Sequence, residues 1–272
     1  MKPDEKPLSE CLLTAFFRPY EYWELPTRHF MEMWPERTLE PVEIGENQAG
    51  NALSPEEPVP RYRLVSADDD TAPIILFGVN SISINASGKA YTGWEAYKER
   101  ALRILGKTND LFDSQAGLDP LVFRYVDVFR VADFEELGRF FQPMKRDFDY
   151  ESGLQPIGKL AGTEIEIGGI RSVAIRSYEV FAPLGESPSK LRFLVEYKVQ
   201  APLPRPNSEA NKAELIRWLD GAHRVHKKMF WDVLTDEYRE KSGEGLFDSL
   251  ERETFGSMKP GLEDLFQEES GQ

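Results

Sequence analysis

Two long segments of this chain carry apolar residues at the spacing of an α-helix, and each segment follows several strand-like stretches. The first stripe consists of Trp94, Tyr97, Ala101, Ile104 and Leu105. The second consists of Leu215, Leu219, Ala222, His226, Met229 and Val233. A helix with one apolar face needs a sheet or another helix to cover it, so the pattern predicts helices packed on a sheet.

The strand-like stretches fall into two groups. Those of the first group lie at residues 8–18, 61–67, 73–78 and 81–85. Those of the second lie at residues 121–131, 162–168, 170–181 and 190–200, with a tight turn predicted at Gly168-Gly169. Short helices are predicted at residues 24–34 and after Asp133, so the order strand, helix, strands, helix occurs twice. We predict an α+β fold of duplicated halves, a mainly antiparallel sheet with helices covering one face. The alternative is a single continuous sheet with both long helices on one face.

Domain boundaries follow from this order. Residues 1–110 form the N-terminal α+β half, and residues 111–242 form the C-terminal α+β half, which ends in the long helix. Residues 40–60 contain four prolines and no periodicity, which predicts a loop. Thr92 and Glu95 have the spacing of a capping box, so the first long helix is expected to begin at Thr92.

Residues 243–272 differ in composition from the rest and form a third segment, an acidic tail. They carry eight acidic and two basic residues, a net charge of −6. The tail also contains two apolar clusters, Leu246, Phe247 and Leu250, then Leu262, Leu265 and Phe266. This composition cannot build a core but can order on a surface, which predicts a partner-binding arm. A tail that folds back onto its own domain is the open alternative.

Charge and cysteine content limit the classes of function. Lys and Arg number 33 against 47 Asp and Glu, a net charge of −14, which disfavours direct contact with nucleic acid. The single cysteine, Cys11, excludes an intrachain disulfide and a Cys-pair metal site. The charged N-terminus and the short apolar run behind it do not match a signal or membrane helix. We therefore expect a soluble cytoplasmic protein without membrane contact.

Four segments of the chain resemble a known family. They are Leu8-Ser-Glu-Cys-Leu-Leu-Thr-Ala-Phe-Phe, Ala90-Tyr-Thr-Gly-Trp-Glu, Phe123-Arg-Tyr-Val-Asp and His223-x-x-His226-x-x-x-Phe230-x-x-x-Leu234-Thr235. Together they are similar to sporadically distributed prokaryotic proteins of about this length whose function is unknown. The resemblance covers roughly residues 8–240, implies mobile or defence-linked genes, and carries over no catalytic residue. It departs at Asp127, where the family usually has asparagine.

Two motifs have the spacing of known nucleotide-binding or metal-binding sites. Gly153, Gly158 and Lys159 have the spacing of a phosphate loop, but Leu160 stands where Ser or Thr must hold magnesium, and a strand-like stretch follows. His223 and His226 are three apart on a predicted helix and could share one metal, yet the pair lacks further ligands. We expect a loop at the first motif, packed and hydrogen-bonded imidazoles at the second, and neither cofactor nor metal.

Arg124 is the residue that most needs a partner. It shares a strand face with Val122, Val126 and Val128, so its guanidinium is expected to be partly buried. An internal ion pair with a carboxylate on a neighbouring strand or helix is one interpretation. The other is an anion clamp in a pocket near Tyr91 and Trp94. Trp94 itself is expected to anchor its helix to the sheet of the N-terminal half.

The remaining candidates fit ordinary roles. The carboxylates of residues 68–70, of Asp147 and Asp149, and of Glu164 and Glu166 are expected to form solvated surfaces. Cys11 lies in an apolar strand, where a thiol is usually inert.

Two functions therefore stay open. The first is a non-enzymatic interaction or accessory protein that acts through a sheet face, a helix face or the tail; the chain also leaves homo-oligomerisation open. The second is a small-molecule-binding protein or enzyme with a pocket between the two halves near Arg124.

Overall fold

The computed structural model describes residues 8–17, 32, 34, 36–42, 60–66, 69, 71–78, 81–111, 118–131, 134–141, 161–181, 191–202 and 209–236. The strands are β1 (Leu8–Phe17), β2 (Arg37–Pro41), β3 (Pro60–Ser66), β4 (Ile74–Gly78), β5 (Ser81–Ser87), β6 (Leu118–Val131), β7 (Ala161–Ile167), β8 (Ile170–Phe181) and β9 (Leu191–Ala201). The helices are α1 (Trp94–Leu111), α2 (Phe134–Phe140) and α3 (Glu209–Val233).

The nine strands of the described residues form one sheet in the order β2-β3-β4-β5-β1-β6-β9-β8-β7, and every neighbouring pair is antiparallel. The predicted α+β class and the mainly antiparallel sheet are confirmed. Strands β1 and β6 meet at the centre, where Leu13 lies opposite Phe123. The sheet is continuous through this pair, as the alternative architecture expected.

The core lies between one face of this sheet and the helices. Alternate residues of β6 point to opposite faces, so Phe123, Tyr125 and Phe129 lie on one side, each almost wholly buried. Helix α1 packs on this side, where the Tyr97 hydroxyl donates to the Ile84 carbonyl at 2.8 Å. Helix α3 packs on the same side, where the Trp218 indole N–H donates to the Ser172 hydroxyl at 3.0 Å. Both long helices therefore cover the same sheet face.

The hairpin between β7 and β8 is confirmed at Gly168-Gly169. Gly168 has φ of 60° and Gly169 has φ of 86°, the left-handed conformations that a two-residue hairpin turn requires. The neighbouring residues Ile167 and Ile170 close the turn as a pair.

Two local predictions are corrected. Strand β2 includes Glu40 and Pro41, which were assigned to a loop, because pairing with β3 determines their conformation despite a weak apolar pattern. Helix α1 begins at Trp94, and the Gly93 carbonyl accepts from the Tyr97 N–H at 3.1 Å. Gly93 is thus the N-cap, one residue later than the capping box at Thr92 predicted.

Several predictions lie outside the described residues. They concern most of the helix at residues 24–34, the pseudo-phosphate loop at Gly153–Leu160, the pair Asp147 and Asp149, and the tail at 243–272.

Candidate functional site

The start of α1 and the middle of α3 meet above β6 and form a contact that we call the helix junction: Trp94, Lys98, Tyr125, Asp220 and His223. The Trp94 ring stacks on the His223 ring, with centroids 4.3 Å apart and planes at 4°. The Trp94 indole N–H donates to Asp220 Oδ1 at 2.8 Å, and Lys98 Nζ lies 2.7 Å from the same oxygen. One carboxylate of α3 thus holds two side chains of α1.

Trp94 lies on α1, is partly buried, and contacts Phe123 of β6 and His223 of α3. The prediction named the sheet of the N-terminal half, whereas these ring contacts are with elements of the C-terminal half. The polar edge of Trp94 also contacts α3, through Asp220. Trp94 links the first long helix to the second.

Tyr125 connects the sheet to this junction. Its hydroxyl lies 2.8 Å from His223 Nδ1 and 3.4 Å from the Tyr91 hydroxyl. Burial raises the pKa of Tyr125 well above its usual value, so the phenol keeps its proton. We assign Tyr125 as the donor to Nδ1, and neutral His223 then carries its hydrogen on Nε2.

His223 is held in its neutral form. Burial lowers its pKa well below the usual histidine value, and the nearby His226, Lys227 and Lys98 lower the pKa further. The ring is only 7% exposed and lies against Trp94. A neutral imidazole in this position accepts one hydrogen bond and packs as an aromatic ring.

His226 occupies the next turn of α3, over β6. Its ring stacks on Tyr125 with centroids 3.6 Å apart and meets Tyr197 edge-on at 4.9 Å. Its Nε2 lies 3.8 Å from Asp127 Oδ2, a contact that would become an ion pair if the imidazole took up a proton. Asp127 is itself 3% exposed.

Two other reactive groups lie in the core beside the junction. Cys11 is fully buried, and burial raises the pKa of its thiol well above the usual value, so the nucleophilic thiolate is disfavoured. The Tyr197 hydroxyl is buried and has no hydrogen-bond partner within the described part of the chain.

Arg124 lies on the opposite face of the sheet from the helix junction, because its neighbours Phe123 and Tyr125 point toward the helices. Its Nε lies 3.0 Å from Glu196 Oε1, and its Nη2 donates to Glu196 Oε2 at 3.2 Å. Glu196 belongs to the neighbouring strand β9. The structure thus places Trp94 in the junction and Tyr91 beside it, but Arg124 on the other face of the sheet.

The two histidines lie close together, with ring centroids 6.3 Å apart. Among the described residues, no group of three or more His, Cys, Asp or Glu side chains is arranged to hold a metal ion.

The carboxylates of Glu164 and Glu166, which were expected on a solvated surface, are exposed on β7.

Sequence reasoning missed the partners that assemble the junction. Asp220, His223 and His226 are spaced by three residues, which places them along one side of α3. Tyr125 and Asp127 are two residues apart on β6, which places them on the same face of the strand. Each periodicity was visible, but the meeting of α1 with α3 depends on the central pairing of β1 with β6.

No protein-family model matches this chain, and no curated protein matches it significantly. None of the described helices is long and apolar enough to cross a membrane. The role of the helix junction must therefore be inferred from its own contacts.

Proposed function

We propose that this chain is a non-enzymatic interaction protein whose helix junction fixes α1 and α3 on the sheet and so creates a rigid binding platform. One observation carries the proposal: the polar side chains of the junction bind one another. Trp94 and Lys98 contact Asp220, and Tyr125 contacts His223. Such a network specifies how two helices pack, provided that its buried members are hydrogen-bonded.

The protonation states favour this structural role. A general base needs a pKa near the working pH and access to a substrate proton. The depressed pKa and the burial of His223 oppose both requirements, and the raised pKa of buried Cys11 opposes nucleophilic attack. Their burial and protonation states thus support a structural role for His223 and Cys11.

A duplicated architecture with boundaries at residues 1–110 and 111–242 is part of the proposal. The orders β3-β4-β5-β1 and β7-β8-β9-β6 match element by element, and each set is followed by a long helix. The two sets join through β1 and β6. In this arrangement Trp94 and Asp220 link the last helices of the two halves.

The setting of the protein also belongs to the proposal. We infer a cytoplasmic accessory protein of a mobile or defence-linked bacterial gene set, from the resemblance at the four segments above. The acidic tail is the proposed partner-binding arm, with Leu246, Phe247, Leu250, Leu262, Leu265 and Phe266 as its apolar contacts.

Affinity capture from the host organism tests this function. The full chain is expected to retain a stoichiometric partner that co-elutes in size-exclusion chromatography, and a variant ending at Ser242 should keep its melting temperature while losing that partner. A full chain that captures no stoichiometric partner would contradict the proposal. A truncated chain that melts much earlier would show that the tail is structural.

A second candidate function has a specific basis. Three side chains are partly exposed where the junction meets solvent: Tyr91, Trp94 and Asp220. The Tyr91 hydroxyl contacts the Tyr125 hydroxyl, which in turn contacts His223. An aromatic wall beside polar groups is typical of small-molecule sites. Tryptophan fluorescence, titrated with metabolite mixtures, tests this candidate. A small-molecule site at the junction should give saturable quenching in the native chain. The Trp94→Phe variant should lack that quenching.

A further inference from the structure

Strand β7 ends the sheet and leaves one of its edges without a partner among the described residues. In its two-residue hairpin with β8, the closing pair Ile167 and Ile170 exchanges backbone hydrogen bonds, and alternate pairs continue that pattern. Ile165 therefore bonds toward β8. The intervening residues Glu164 and Glu166 direct their backbone N–H and C=O groups outward, where they can accept another strand.

Helix α3 packs closely on this edge from one face of the sheet. Gly221 of α3 lies so close to Ile167 that a Cβ at residue 221 would overlap the isoleucine side chain. Ile167 is 5% exposed. An edge that is already ordered costs less conformational entropy when a strand is added to it. The opposite edge, β2, is shorter and ends at Pro41, which has no N–H to donate.

The side chains of β7 define the strand that would fit. Glu164 and Glu166 are exposed on the face away from the helices, whereas Ile165 lies on the helix face and packs on the core. Opposite charges on directly facing residues stabilise neighbouring strands. A fitting strand thus carries basic residues on one face and apolar residues on the other.

A second copy of this chain fits poorly. An antiparallel pairing of two β7 edges that uses both outward-facing glutamates places Glu164 opposite Glu164 or Glu166 of the second copy. Like charges that face each other directly destabilise a strand pair. The net charge of −14 adds repulsion between copies.

We propose that the outer edge of β7 binds an extended segment of a partner protein in which lysine or arginine alternates with apolar residues. This inference rests on the proposed interaction function and names the chemistry of a partner. The backbone of Glu164 and Glu166 supplies the hydrogen bonds, and their carboxylates select the basic residues.

The probe is a short acetylated peptide of alternating lysine and valine, measured by fluorescence anisotropy. Its control is a peptide of the same composition with all lysines adjacent.

Glu164→Pro removes an outward N–H without breaking the β8 ladder and should weaken binding by about tenfold, the effect of losing one hydrogen bond. The double variant Glu164→Lys and Glu166→Lys should prefer a glutamate–valine peptide. Glu99→Lys with Glu135→Lys makes the same charge change at exposed sites elsewhere and should keep the original preference.

Amide hydrogen exchange provides the second measurement. Binding should slow exchange at Glu164 and Glu166, and the melting temperature of Glu164→Pro should match that of the native chain. Equal binding by the two peptides, equal loss in the Glu99/Glu135 control, or unprotected Glu164 and Glu166 amides would overturn the edge proposal by indicating nonspecific charge attraction.

Capture from the host separates this inference from the proposed function. A native chain that retains a stoichiometric partner, together with a Glu164→Pro variant that loses it, is expected. A partner retained equally by both chains overturns the edge inference alone. A native chain without any partner overturns the proposed function itself.

Discussion

On the helix side of β6, Tyr125 and Asp127 lie in the core beside two imidazoles, whereas on the other side Arg124 lies half-exposed against Glu196. Burial raises the pKa of Tyr125 and lowers that of His223, so the contact between these two side chains joins neutral groups. The contact between Arg124 and Glu196 is an ion pair with side chains 34% and 23% exposed. The strand thus contributes Tyr125 to a neutral hydrogen bond on its inner face and Arg124 to an ion pair on its outer face.

The difference indicates where changes should be costly. Truncating a buried side chain removes its packing and its hydrogen bond together, and the buried polar atom of its former partner is left without compensation. A partly exposed ion pair regains water when it is broken and contributes little to stability. The following substitutions test this contrast, from the largest expected effect to the smallest.

Phe123→Ala should produce the largest effect. The ring is 1% exposed and lies between Trp94 and Tyr125, so its removal leaves a cavity below the junction. We expect the free energy of unfolding to fall by about 3–5 kcal/mol in denaturant titrations. Val122→Ala, one residue along on the other face, should cost about 1–2 kcal/mol. Similar losses for the two variants would contradict the proposed concentration of packing on the helix side.

Tyr125→Phe should have an intermediate effect. It keeps the ring that stacks on His226 and removes the hydroxyl that His223 Nδ1 requires, so we expect a loss of about 1–3 kcal/mol. In a double-mutant cycle with His223→Phe, the second change should cost less once the first is present. Additive losses would mean that the 2.8 Å contact contributes nothing to stability.

Acid should weaken the native chain through His223. The pKa of His223 is lower in the folded state than in the unfolded chain. Below about pH 6.5 the unfolded chain therefore binds more protons, and the free energy of unfolding decreases as the pH is lowered. The slope from this residue is at most about 1.4 kcal/mol per pH unit, and it vanishes above about pH 6.5. His223→Asn keeps an acceptor near Nδ1 and cannot take up a proton. The stability difference between the native chain and this variant should therefore shrink as the pH falls from 6.5; a constant difference would refute the assignment.

Arg124→Gln should have the smallest effect. Its guanidinium and Glu196 are both partly exposed, so breaking the pair should cost about 0–1 kcal/mol and less at high salt. Arg124→Gln combined with Glu196→Gln should be close to the native chain in thermal melts. A loss comparable with that of Tyr125→Phe would remove the contrast between the two faces.

Local patterns in the sequence predicted much of the fold. The long helices, the hairpin at Gly168-Gly169 and most strands followed from periodicity and turn residues. Strand β2 did not, because its conformation depends on pairing with β3 rather than on its own residues. The start of α1 was predicted one residue early, since Gly93 replaced Thr92 as the cap.

The candidate site was harder to predict, because both faces of β6 are apolar. Alternation correctly grouped Arg124 with Val122 and Val126, but it could not tell which face meets the helices. The contact between Trp94 and Asp220 joins residues 126 apart in the chain, and the sheet order alone brings them together. Periodicity identifies a face, whereas topology determines its partner.

The central claim is that the junction imidazole is a fixed structural group and not a working base. Nitrogen-15 NMR of the His223 ring, recorded from about pH 7 to about pH 5.5, tests this claim directly. We predict a neutral ring with its hydrogen on Nε2 and an unprotonated Nδ1 that accepts from Tyr125, unchanged through this range. A ring that titrates at about pH 6.5 or above, or one protonated at Nδ1, would contradict it.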